Sequence, residues 1–117
     1  MKSYTDIEQS KILAEILPIE SADMCYRIVA YNPNDTHVYQ PYCFSGTLES
    51  DIPCWSLAAL LEIINKDFYT DLYHDGETWT VDVQHHDNEE MNDFVYADEP
   101  IDACVEMIVK LNEKGLI

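Results

Sequence analysis

The chain has 117 residues, the length of one domain, and carries 23 Asp+Glu against 6 Lys+Arg, a net charge of −17. An apolar content of 47% with 11% aromatics excludes a disordered acidic tail, which lacks the residues to build a core. No apolar run nears the roughly 18 residues of a membrane span, and so acidic a surface repels phosphate, which argues against nucleic acid as a direct ligand.

The first residues, Met1-Lys2-Ser3-Tyr4-Thr5-Asp6, hold no apolar leader and no lipidation motif, so the expected location is cytoplasmic, away from membranes. Thr5 and Glu8 have the spacing of a capping box and predict a helix start. Ile12, Leu13, Ile16 and Leu17 make its apolar stripe, and Pro18 ends it. Residues 24–31 alternate as a strand with apolar side chains on both faces, which predicts a central strand with Arg27 near the sheet surface. Residues 32–50 are irregular. Asn32-Pro33-Asn34-Asp35 is a turn by composition, and Pro41 makes the stretch near Val38 or 42–44 either an edge strand or a loop.

Asp51 is the expected N-cap of a second helix, with Pro53 in its first turn. Trp55, Leu57, Ala58, Leu60, Leu61, Ile63 and Ile64 make that helix apolar nearly all round, the mark of burial on more than one side, or of burial on one side and docking on the other. Two strand-like runs, 68–74 and 77–85, flank Asp75-Gly76, the signature of a type I′ hairpin turn. A polar turn at 87–90 leads to a further strand over 91–97, with Phe94 and Tyr96 on one face. The last helix opens at Pro100, buries Ile101, Cys104, Val105, Ile108 and Leu111, and stops at Gly115. The predicted order is α-β-α-β-β-β-α. It describes one α+β domain over 1–117, with a small antiparallel sheet of three to four strands, a meander after the second helix, and about three covering helices.

The segment Asp51-Ile-Pro-Cys-Trp-Ser-Leu-Ala-Ala-Leu-Leu-Glu-Ile-Ile and the tail Asp102-Ala-Cys-Val-Glu-Met-Ile-Val-Lys-Leu resemble small uncharacterised proteins of gut bacteria of the Bacteroides group and their mobile elements. The matching residues are helix-core residues. The resemblance implies a bacterial cytosolic origin, and it implies no activity.

No catalytic, cofactor-binding or metal-binding set is expected. The chain has no G-x-S-x-G, P-loop, Rossmann or H-E-x-x-H pattern, and its 3 glycines hardly allow a phosphate-cradling loop. His74 and His85 fall near opposite ends of the hairpin, and His85-His86-Asp87 points to alternating faces, so a shared zinc is not expected. Asp87, Glu89, Glu90 and Asp93 are rich in oxygen but lack the calcium-loop pattern. Cys54 is the best-placed nucleophile, at an expected helix start that would lower its pKa. Cys25, Cys43, Cys54 and Cys104 are expected as reduced thiols.

Two segments stand out. Twelve acids between Asp67 and Asp102 are interrupted by no Lys or Arg, and Asp67, Asp71, Asp75, Glu77, Asp82, Asp87, Glu89, Glu90 and Asp93 form a candidate acidic surface. Tyr31, Tyr39, Tyr42, Phe44 and Trp55 form a candidate interaction surface, because Tyr and Trp give large contact area with few torsions. The leading expectation is therefore a non-enzymatic module that binds a protein partner, a second copy of itself included. The alternatives are an acidic inhibitor that imitates DNA, and a small enzyme built on Cys54 or His85 and His86.

Overall fold

The computed structural model describes residues 1–31 (Tyr31 as backbone), 37–43 and 48–117. Nine elements follow in order: α1 (Ile7–Ala14), β1 (Met24–Tyr31), β2 (His37–Tyr42), β3 (Ile52–Cys54), α2 (Leu57–Asn65), β4 (Phe68–His74), β5 (Trp79–His85), β6 (Asn92–Ala97) and α3 (Pro100–Glu113). A 3₁₀ turn, Ile19–Ser21, links α1 to β1. The class is α+β, as expected. The strands divide between two antiparallel sheets, β2-β1-β3 and the meander β4-β5-β6.

β1 is the central strand of its sheet, and Pro41 lies on the edge strand β2, opposite Tyr26. The pairing slips one residue between Ile28 and Ala30. β3 replaces the expected start of the second helix. Its three residues pair with β1 as Met24↔Cys54, Cys25↔Pro53 and Tyr26↔Ile52. Asp51 is therefore no helix cap. Its carboxylate accepts a two-pronged contact from Arg27 Nε (3.0 Å) and Nη2 (2.9 Å). The α2 cap is Ser56, which accepts from the Ala59 N–H, while Asp23 accepts both the N–H and the hydroxyl of Ser56.

The first helix is shifted in the same way. Its capping box is Asp6–Gln9, one residue beyond Thr5–Glu8. Thr5 is drawn instead into a tertiary contact: its N–H donates to the Trp55 carbonyl (2.9 Å), and its buried hydroxyl accepts the Trp55 N–H (3.1 Å). The hairpin turn also differs. His74 pairs with Trp79, so β5 starts at Trp79 and the central turn residues are Gly76 and Glu77. Asp75 N–H donates to the Thr78 carbonyl (3.2 Å), and the Asp75 carboxylate accepts the N–H groups of Glu77 and Thr78. Only the requirement for positive φ at Gly76 survives from the I′ reading (φ +101°).

α3 behaves as its sequence dictates. Pro100 stands in the first turn, and Gly115 (φ +72°) closes a Schellman end in which Leu116 N–H donates to the Leu111 carbonyl (2.9 Å) and Gly115 N–H to Asn112 (3.0 Å). The main core joins all three helices to one face of the meander, around Leu13, Trp55, Leu60, Ile64, Phe68, Val81, Val83, Ile101 and Ile108. A smaller cluster of Met24, Tyr26 and Cys54 lies under the other sheet.

Candidate functional site: the outer face of the meander sheet

Side chains alternate across a strand, so the register of β4-β5-β6 decides what each face presents. The inner rows run Phe68/His85, Thr70/Val83/Asp93, Leu72/Val81/Val95 and His74/Trp79/Ala97. These rows supply the apolar side chains that α2 and α3 cover. The outer rows run Tyr69/Gln84/Asn92, Asp71/Asp82/Phe94 and Tyr73/Thr80/Tyr96. Tyr69, Tyr73, Phe94 and Tyr96 remain 65%, 48%, 54% and 61% exposed. Isolated apolar side chains on a surface are ordinary. Four aromatics share one sheet face, Tyr69 and Tyr73 on β4 and Phe94 and Tyr96 on β6, with Tyr73 and Tyr96 in the same cross-strand row, and exposed aromatic surface of this kind marks interaction sites.

Asp71 and Asp82 are direct cross-strand partners at the centre of this face. Both are exposed, and neither makes an ion pair among the described residues. Like charges directly opposite one another destabilise a sheet. Asp93, on the inner face, has the opposite fate. Burial pushes its carboxyl up, but Lys110 (2.9 Å) and Lys114 (2.6 Å) outweigh that and hold it at about 2.

The candidate acidic surface is thus split. Asp67, Asp71, Asp75, Glu77, Asp82, Asp87, Glu89 and Glu90 are exposed, whereas Asp93 is half-buried and neutralised by two lysines. Asp75 and Glu77 mark one end of the sheet, Asp71 and Asp82 its middle, and Asp67 with Asp87, Glu89 and Glu90 the other end.

The candidate aromatic surface is not assembled as expected. Trp55 is fully buried, and its indole N–H donates to the Ser21 hydroxyl (3.0 Å), so it has no surface to offer. Tyr39 and Tyr42 are half-buried on β2, with Tyr39 packed against the small core. Phe44 and the side chain of Tyr31 lie outside the described residues. The structure brings together a different set, Tyr69, Tyr73, Phe94 and Tyr96. The signal for it was the even spacing within each strand, i, i+4 for Tyr69 and Tyr73 and i, i+2 for Phe94 and Tyr96, which becomes one surface only once the strand register is known.

Cys54 does not stand at a helix start. It is fully buried, with its thiol donating to the Thr5 carbonyl (3.5 Å), and burial raises its pKa, the reverse of an activated nucleophile. Burial likewise pushes the Cys104 thiol up to about 12. All four cysteines are free thiols, and Cys43 alone is exposed. Phe68 pairs with His85 at one end of the hairpin and His74 with Trp79 at the other. His86 packs instead on the Tyr69 ring, with centroids 4.5 Å apart. No group of three His, Cys, Asp or Glu converges as metal ligands would among the described residues. Clefts of about 270 Å³ beside Lys2, Tyr4 and Tyr26, and about 230 Å³ beside Phe68, Met91 and Leu111, fall below the roughly 300–1,000 Å³ of small-molecule sites. No described helix is long and apolar enough to cross a membrane. Comparison with protein-family models, with curated proteins and with solved structures gives no match.

Proposed function

We propose that this chain is a non-enzymatic binding module whose meander sheet docks onto a basic surface of another protein. One observation carries the reading: the outer face of β4-β5-β6 combines four exposed aromatic side chains with an unneutralised aspartate pair, and no described segment covers it. Aromatics give contact area at low entropic cost, and the net charge of −17 steers a cationic partner toward them. A second copy of the chain fits poorly on this face, because it would set Asp71 and Asp82 against their own equivalents. A cytoplasmic setting suits the four free thiols, which stay reduced there.

The reading is tested by placing a photo-crosslinking amino acid at Phe94 and, separately, at Tyr39, in the cell from which the chain comes. The expected product is a Phe94-dependent crosslink to a protein whose contact region is rich in Lys and Arg, lost when Asp71 and Asp82 are replaced by Asn. Crosslinks formed only from Tyr39 would sink the reading and return attention to β2.

The spread of the exposed acids from one end of the sheet to the other favours a narrower reading, in which the partner is a nucleic-acid-binding protein and the acids occupy its groove. A crosslinked partner that still binds DNA equally well with excess chain present would remove it.

A further inference from the structure

The edge of a sheet presents unpaired N–H and C=O groups to any further strand, and proteins usually blunt it. Among the described strands, β2, β3, β4 and β6 lie at edges, and three of them are blunted. β2 carries Pro41, which has no N–H to give. β3 is three residues long with Pro53 at its centre, and Thr5 bonds Trp55 just beyond it. On β6 the Asp93 carboxylate already accepts the Phe94 N–H (2.9 Å). β4 has no proline and pairs with β5 without a break from Phe68 to His74. The bonds from Asp75 N–H to the Thr78 carbonyl and from His86 N–H to the Asp67 carbonyl continue this ladder at its two ends. Odd-numbered residues of β4 therefore face β5, and the N–H and C=O groups of Phe68, Thr70 and Leu72 point to the open edge. No described residue hydrogen-bonds to them. Thr70 supplies a second observation. Among the described residues its Oγ1 is the buried side-chain polar atom left without a hydrogen-bond partner, a state that is rare and costly.

We propose that β4 pairs antiparallel with β4 of a second copy, through this edge and not through the outer face, in a register centred on Thr70. The two-fold axis must pass through a residue, because a half-step would oppose inner and outer side chains. Centring on Tyr69, Asp71 or Tyr73 opposes aspartates: Asp67 to Asp71, Asp71 to itself, or Asp71 to Asp75. Centring on Leu72 carries Phe68 past the strand end, opposite Gly76. Centring on Thr70 sets Thr70 against Thr70, Phe68 against Leu72 and Tyr69 against Asp71. The even-numbered pairs are then the ones that exchange two N–H···O=C bonds each, so all the free edge groups are used. The two Thr70 hydroxyls meet on the inner face, where each gives the other the partner it lacks. Phe68 and Leu72 add apolar cross-strand contact on the same face, and Asp71 stands beside a Tyr69 ring, clear of its own equivalent. A second copy is the occupant because the strand's own sequence meets each of these demands. The contact is isologous, and it sets the aromatic outer faces of both copies on one side of a joined sheet. Two chains of net charge −17 repel, so salt governs how readily the sheet joins.

The test is sedimentation velocity of the whole chain from about 10 μM to about 1 mM, at about 0.01 M and about 1 M NaCl, between which the Debye length falls from about 30 Å to about 3 Å. The expected result is a reversible monomer–dimer equilibrium, at least about tenfold tighter at the higher salt. Docking on a basic partner weakens with salt, so the two associations are told apart and the loss of one leaves the other standing. Amide hydrogen exchange locates the contact. The N–H groups of Phe68, Thr70 and Leu72 should slow by about tenfold or more as the dimer fills, while those of His74 and Tyr96 stay as they were. Thr70→Val removes the hydroxyl and keeps the shape. It should weaken the dimer about threefold without lowering the melting temperature of the monomer. Thr70→Pro removes an N–H that β5 does not use and should leave only monomer over the same range. If the proline variant does not fold, the exchange pattern of the parent chain decides. A monomer at every concentration and both salts overturns the proposal, as does a dimer in which the Phe68, Thr70 and Leu72 amides exchange unchanged. Protection of His74 in place of Phe68, or a Thr70→Val chain that dimerises as tightly as the parent, overturns the Thr70 register.

Discussion

Thr5 shows how one residue joins distant parts of the chain. Its hydroxyl lies 2.8 Å from that of Ser10 and accepts the Trp55 N–H, while its carbonyl accepts the Tyr26 hydroxyl (2.6 Å). Burial raises the Tyr26 pKa, so its phenol stays protonated and donating. Valine keeps the shape of threonine but leaves Ser10 and the Trp55 N–H without their partner. Thr5→Val should therefore lower unfolding free energy by about 1–3 kcal/mol, measured by urea titration. A neutral result would mean that water replaces the hydroxyl. Gly76 makes a different demand. A Cβ there would meet nothing within 4 Å, so any cost is conformational. Gly76→Val should cost about 1–2 kcal/mol through its positive φ alone. A melting curve indistinguishable from the parent would show that the turn relaxes to another form.

At the level of elements, the joint between β6 and α3 carries the clearest electrostatic signature. Asp93 binds Lys110 and Lys114 from the last turns of α3, where cations also suit the helix dipole. Its folded pKa of about 2 lies below the roughly 3.9 of a free aspartate. A depressed carboxyl stabilises the fold above its unfolded pKa, and that contribution fades as pH falls from about 4 through about 2. The lysines are half-exposed, so about 1–2 kcal/mol is a fair scale after screening. Lys110→Met/Lys114→Met should thus be less stable than the parent above about pH 5 and should converge with it near pH 2. A constant gap between the two curves at every pH would mean that the lysines act through packing. A second joint ties the chain start to α3: Lys2 Nζ reaches Asp6 (3.1 Å) and Asp102 (2.8 Å), and Gln9 donates to Asp102 (2.7 Å).

Over the whole molecule the acids outnumber the bases by 17 charges, and the ion pairs among the described residues sit at these two joints and at Arg27–Asp51. The exposed acids of the meander have no such relief among the described residues. Their mutual repulsion weakens the compact state at low ionic strength. The melting temperature should rise between a few millimolar salt and about 0.15 M NaCl, where the Debye length is about 8 Å. A fall over that range would mean that the few attractive pairs outweigh the repulsion, and calorimetry at the two salt concentrations decides it. Docking on a basic partner relieves the same repulsion, so the charge that weakens the free chain favours the complex.

Some of this protein was legible in its sequence because the causes are local. α3 is specified within its own residues: Pro100 to begin, a one-sided stripe to bury, Gly115 to end. β1 and the meander show in alternation, which needs no knowledge of what packs against them. The shifted features are those whose cause lies far along the chain. Three residues are too few for a period, so β3 exists because β1 pairs with it. That pairing turns Asp51 from a helix cap into the partner of Arg27, and it carries Trp55 into the core instead of onto a surface. Thr5 likewise gives up its cap to bond Trp55, fifty positions away. Alternation assigns every strand residue to one of two faces but does not align the strands or say which face the helices cover. Only the packed structure decides that, because α2 and α3 bury their apolar stripes on the side that offers Phe68, Leu72, Val81, Val83 and Val95. The tyrosines, Phe94 and the aspartate pair are left outward together by the same step, since one register serves both faces of a sheet.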